Sequence, residues 1–206
     1  MKRLPVVATL IVGLAVTAMI ALGAWQLQRR GEKAALIARY AANLNLPPMT
    51  YPQLAPVPRE AMFRKAQVHC LRVASWRTEG GRTPGGQAGY RHIANCVTGA
   101  EGPGALIDMG VSADPAQKIA WNGGIVDGLI TTEPSHESLI GRVFGHSMPL
   151  RPMLVADVPA PGLAASTPPD PAAIPNNHLA YAVQWFVFAG VALLIYGLAL
   201  RRRREK

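Results

Sequence analysis

Charge is absent from two long stretches of this 206-residue chain: neither Leu4 to Gln28 nor Pro171 to Leu200 contains Asp, Glu, Lys or Arg. Cysteine is scarce too. Only Cys70 and Cys96 occur, and their wide separation excludes the close thiol pair of a redox motif or a copper carrier. Signatures of soluble catalysis are missing as well. The glycine-rich run Gly80-Gly81-Arg82-Thr83-Pro84-Gly85-Gly86 lacks the Gly-Lys-Ser/Thr of a phosphate loop and reads as a hairpin loop. There is no Gly-x-Ser-x-Gly elbow. His69, His92, His136 and His146 include no pair at the i, i+4 spacing of a helical zinc site, and the carboxylates are scattered. Bond-making catalysis is not indicated.

What the chain does have is a net charge of +9, concentrated at its ends. Lys2 and Arg3 precede the first uncharged run, and Arg201 to Arg204 with Lys206 follow the second, while the stretch between is nearly balanced. A nucleic-acid-binding domain would carry a basic face interleaved with aromatics inside its fold. Basic clusters that flank apolar runs point to a membrane instead, and no nucleic acid partner is expected. A bilayer core of about 30 Å needs roughly 20 helical residues, which Pro5 to Gly23 and Leu179 to Leu200 supply. The first apolar core is also longer than that of a cleavable signal peptide. The positive-inside rule then holds the four-arginine tail, and with it the N-terminus, in the cytoplasm. The middle segment is exported, where Cys70 and Cys96 are either a disulfide or a pair of buried free thiols.

The expected organisation is a cytoplasmic N-terminus (1–3), a transmembrane helix (4–28) and a helical extension with a Pro-rich linker (29–58). A β-rich periplasmic domain (59–158), a Pro-rich arm (159–178), a second transmembrane helix (179–200) and a basic cytoplasmic tail (201–206) follow. The helical stretch Glu32 to Leu44 continues the first span past Gly31. In the central domain, short apolar runs between Gly and Pro turns read as strands: Ala66 to Val73, Tyr90 to Val97, Ala105 to Val111, Ile125 to Ile130, Leu139 to Phe144 and Met153 to Ala156. One helix is expected at Pro115 to Ala120, capped by Asp114. The fold class is therefore an integral membrane protein with two transmembrane helices flanking a β-rich α+β domain, a small barrel or sandwich.

Polar and aromatic side chains gather at the outer membrane boundary. Asn177 is placed to cap the second span and His178 is its first helical residue. His178, Tyr181 and Trp185 lie within about 60° of one another on a 3.6-residue helix. Trp25, Arg29 and Arg30 end the first span at the same depth. Two readings stay open at this point. A haem could be held edge-on, with imidazole on iron, guanidinium on propionate and aromatic rings on the macrocycle. Alternatively, Asn177 and His178 only cap the helix while the arginines only anchor the interface.

The same residues carry a resemblance. Gly23-Ala24-Trp25-Gln26-Leu27-Gln28-Arg29 with Lys33 and Leu36-Ile37, and Asn176-Asn177-His178-Leu179-x-Tyr181-Ala182-x-x-Trp185-Phe186, resemble the two span signatures of the surfeit locus protein 1 family, the cytochrome c oxidase assembly factors. Weaker echoes are Phe63-Arg64-Lys65, Gly86-x-x-Gly89-Tyr90 and Ile125-x-x-Gly128. Met109-Gly110-Val111 stands where the family commonly has Arg-Gly-Trp-Val, and Gln184 where a Thr often precedes the Trp. The resemblance implies a non-enzymatic, chaperone-like factor that binds haem a transiently and assists its insertion into oxidase subunit I. His178 takes the position of the metal ligand, while Arg29, Arg30, Trp25, Tyr181 and Trp185 are cofactor-binding candidates. Haem a synthase is a further candidate partner. A haem-free scaffold for a subunit I intermediate, and a two-span periplasmic sensor, are the alternatives. Because no amphipathic Arg-rich leader opens the chain, the expected location is a bacterial inner membrane.

Overall fold

The computed structural model describes residues 5–135, 145 and 148–205. The expected strand at Leu139 to Phe144, together with His136, His146, Lys2 and Arg3, lies outside them. The chain divides into two compact units, Met1–Ala38 with Ile174–Lys206, and Arg39–Ala173.

Two long helices are found among the described residues, α1 over Val6–Asn43 and α2 over His178–Glu205. Both contain segments long and apolar enough to cross a membrane. Leu14 is 73% and Leu194 62% exposed, as apolar side chains are when lipid rather than protein is their solvent. At 38 residues α1 is about 57 Å long, nearly twice the hydrocarbon thickness, so the extension past Gly31 is helical as expected. Pro47 and Pro48 come just after it, where a helix cannot continue.

The second unit is built on one mixed seven-stranded sheet. Its strands are β1 (Met49–Thr50), β2 (Lys65–Cys70), β3 (Arg72–Arg82), β4 (Ala88–Val97), β5 (Ala105–Ser112), β6 (Gly124–Thr132) and β7 (Pro152–Ala156). They run in the order β1-β2-β6-β7-β5-β4-β3. β1 with β2 and β5 with β7 are parallel, and the other neighbours are antiparallel. β1 and β3 are edges, so hydrogen bonding does not close the described strands into a barrel, and they form one sheet rather than two stacked ones.

That sheet is strongly curled. Cys70 on β2 and Cys96 on β4 form a disulfide with Cα atoms 5.3 Å apart, although β6, β7 and β5 intervene in the strand order. Four strand spacings laid flat would be about 19 Å. β2 also runs into β3 through the single residue Leu71, whose N–H donates to Val97 O. One bent strand thus serves both sides of the curl, and the pairing choice between disulfide and free thiols is resolved in favour of the bond.

Inside the curl lie Val68, Ile107, Met109, Ile130 and Leu154, with Trp76 and Trp121 packed against them. Ile93, Leu106, Met153 and Val155 form a second cluster. β7 is buried at every position and β5 at all but its last. The Pro-rich segments at either end of this unit are not free tethers. Tyr51, just after β1, is buried and donates its hydroxyl to Pro152 O at 2.6 Å. The arm after β7 pairs with β5: Ala160 N–H donates to Met109 O, and Val111 and Ala164 exchange backbone bonds. Gly110 makes this approach possible. It has φ +127°, and a Cβ there would lie 2.6 Å from Ala164 O.

One expected element is replaced. Pro115 to Ala120 is not a helix but a single turn. Asp114 Oδ1 does accept from Ala116 N–H at 2.9 Å, so the cap forms. The chain then turns off to pack Ile119 and Trp121 on the core and to let Gln117 donate to Gly162 O. Burial of those side chains outweighs the one or two helical bonds that a six-residue helix would gain.

Candidate functional site

In the first unit the two helices pack antiparallel along a seam of shielded residues. On α1 these are Val12, Val16, Met19, Gly23 and Gln26; on α2 they are His178, Ala182, Trp185, Ala189, Ala192 and Tyr196. Most steps alternate between three and four, the 3.5-residue repeat of left-handed helix pairs. Small residues allow the approach: a Cβ on Gly23 would come 2.6 Å from the Phe186 ring. Thr9 Oγ1 and Tyr196 OH share a hydrogen bond near one end of the pair.

Polar contacts close the other end. His178 Nδ1 lies 2.7 Å from Gln26 Oε1. An amide oxygen only accepts, so Nδ1 is the donor in this contact, and in the neutral imidazole the lone pair then rests on Nε2. This is the arrangement found behind metal-ligating histidines, where a second residue fixes the tautomer and ring direction. Asn176 Nδ2 donates to Arg30 O at 3.3 Å, a second bond between the two segments. Tyr181 N–H donates to Asn177 O, the first bond of α2.

The other predicted residues fall into distinct groups. Trp185 lies on the His178 side of α2, with its ring edge-on to Phe188 at 6.3 Å. Tyr181 is 53% and Trp25 51% exposed, outside the seam. Arg29 Nη1 is 2.7 Å from Glu32 Oε2 on its own helix, and Gln28 Nε2 donates to the other oxygen of that carboxylate. The Arg30 guanidinium makes no hydrogen bond or ion pair among the described residues. Among the described residues no three His, Cys, Asp or Glu side chains gather to hold a metal ion.

Gln26 stands in the first-span signature, but sequence reasoning gave it no place among the candidate site residues. It belongs to a run selected for having no charge, and a charge count does not register an amide. Its polar side chain at the end of an apolar run, one turn before Arg30, was the available signal.

A second polar centre lies in the sheet domain. Asp108 on β5 is 1% exposed. Its Oδ1 accepts from Ser166 Oγ at 2.7 Å and from Gly110 N–H at 3.1 Å. Arg91 Nη1 stands 3.7 Å from Oδ2. Burial pushes the Asp108 carboxyl above the usual carboxylate range, against the opposing pull of Ser166, Arg91 and the Gly110 amide. No curated protein matches the chain. A family match does exist: the model of the SURF1 family covers residues 13–190, which include both span motifs and the whole sheet domain.

Proposed function

Because the chain belongs to the SURF1 family, which is linked to cytochrome oxidase assembly, we propose that it binds haem a through His178 and assists its insertion into oxidase subunit I. The observation that carries this reading is the contact between Gln26 and His178, which leaves Nε2 as a directed lone-pair donor on a half-buried ring. When bound, the haem iron supplies an open coordination position for that nitrogen. Gln26 would hold the ring direction and the tautomer, Arg30 would offer a guanidinium for a propionate, and Trp185, two turns along the same face of α2, would present an aromatic surface to the macrocycle. No bond-making step is asked of the protein. It acts by binding and release, and subunit I is the proposed recipient, with haem a synthase as the proposed source.

The topology belongs to the same proposal. Arg201 to Arg204 hold the end of α2 in the cytoplasm, so both termini face inward and the sheet domain is periplasmic, in an inner membrane. An export-dependent reporter fused near Thr98 should be active and one fused after Lys206 inactive. The reverse pattern overturns the orientation.

A haem-free scaffold is the second reading, and one observation favours it. Arg29, a candidate for propionate binding, is already paired with Glu32. The two readings separate on the purified protein. From cells that make haem a, the chain should carry a low-spin haem spectrum that His178→Ala abolishes. A colourless protein whose loss still impairs oxidase assembly selects the scaffold.

A further inference from the structure

The glycine-rich hairpin between β3 and β4, which the haem reading does not use, borders a cleft of about 540 Å³. We propose that this cleft is a second binding site, for a small ligand bearing a carboxylate or phosphate group. It is independent of the His178 reading.

Three features of the cleft carry the assignment. Its charged lining is of one sign: Arg82 and Arg91 face it with Thr167, and no carboxylate lines it. Glu79, on the same strand, is ion-paired with Arg77 at 3.0 Å. Glycines form much of the remaining wall. Gly80, Gly81 and Gly89 leave the floor without side chains, and a Cβ on Gly81 would press on Arg91 at 3.1 to 3.3 Å. The volume lies within the range of about 300–1,000 Å³ typical of small-molecule sites.

The third feature is an unmet hydrogen-bond donor in the wall. Among the described residues, five buried side-chain polar atoms lack a hydrogen-bond partner, and one of them, Arg91 Nε, belongs to the cleft lining. Buried polar atoms are ordinarily satisfied, so an unpaired guanidinium N–H in the cleft wall marks a place where an acceptor belongs. Arg91 donates no hydrogen bond to any described residue, since its approach to Asp108 at 3.7 Å is too long for one. Arg82 spends one N–H on Gly86 O at 3.1 Å. The backbone around it is pinned, because Thr167 N–H and Oγ1 both donate to Arg82 O. Two guanidiniums with spare donors, one on a fixed hairpin and one on a central strand, match the forked oxygens of a carboxylate or phosphate.

Isothermal titration of the full chain in neutral detergent, at constant ionic strength set with chloride, tests the site with two probes, inorganic phosphate and succinate. Arg82→Gln removes an exposed cation. Gly80→Asp adds a negative charge where a Cβ meets nothing within 4 Å. Saturable binding is expected for at least one probe, weakened about tenfold or more in each variant, with far-UV circular dichroism unchanged. The stronger probe tells phosphate from carboxylate. His178→Ala should bind as the wild type does, which separates this site from the haem reading. Absence of saturable binding for both probes, or affinity untouched by both substitutions, would overturn the assignment.

Discussion

The helix pair and the sheet domain solve opposite problems with the same chain. In the helix pair most large apolar side chains point outward, and the shielded seam combines small residues with Val12, Val16, Met19, Trp185 and a few hydrogen-bonding ones. In the sheet domain the apolar side chains point inward and a disulfide joins the two sides of the curl. Each unit hides one polar centre against its own grain. The helices hold a His–Gln contact, and the sheet holds Asp108 beside Arg91. Where a solvent of either kind is excluded, a polar group persists only if something partners it, so these two centres are where ligands are sought.

If the sheet domain depends on its closure, cutting the disulfide should have the largest effect. The bond closes a 26-residue separation, which chain entropy values at about 3 to 4 kcal/mol. The double variant Cys70→Ala with Cys96→Ala should lower the unfolding temperature of the sheet domain sharply and leave pairing between α1 and α2 intact, as read by cross-links at the seam. Equal loss in both units would erase the contrast.

A smaller effect is expected at Asp108. Its folded-state carboxyl titrates above the unfolded value of about 3.9. The folded state therefore binds this proton more tightly than the unfolded chain does. That contribution is full below about pH 4 and is lost as pH rises through the folded value. Asp108→Asn keeps an oxygen for Ser166 and Gly110 but carries no charge. It should flatten the decline in stability above about pH 4 and raise stability at neutral pH, read by chemical denaturation across pH. An unchanged pH profile would show that the carboxylate is stably ionised by Arg91.

The smallest effect belongs to the seam. Gly23→Val would push on the far edge of the Phe186 ring, which can swing aside, so helix pairing should weaken by about 1 kcal/mol. Phe186→Ala in the same chain should restore it. Failure of that rescue would mean that the seam is not set by this contact.

How much of this was readable beforehand differs between the two regions. Both helices were legible because charge-free runs of that length have few other uses. β4, β5, β6 and β7 followed from apolar runs bounded by Gly and Pro. β3 was hidden, since Arg72–Arg82 is largely polar and ends in glycines, and only its pairing with β4 makes it a strand. The helix expected at Pro115 had a good cap and lost to the burial of Ile119 and Trp121. Tyr51, in a segment read as linker, and Asp108, in a chain of scattered carboxylates, become special only through partners about 100 and 58 residues away. The site itself was half legible. His178 stood out as an imidazole at a span edge, but Gln26 lies 152 residues from it, and no local pattern connects them.

Absorption spectra of the detergent-purified chain from cells making haem a put the Gln26–His178 contact to its most direct test. The wild type should show a low-spin haem band, His178→Ala should lack it, and Gln26→Leu should keep it at reduced occupancy because the ring loses its brace. A colourless wild type, or a His178→Ala protein as coloured as the wild type, would contradict the role assigned to His178.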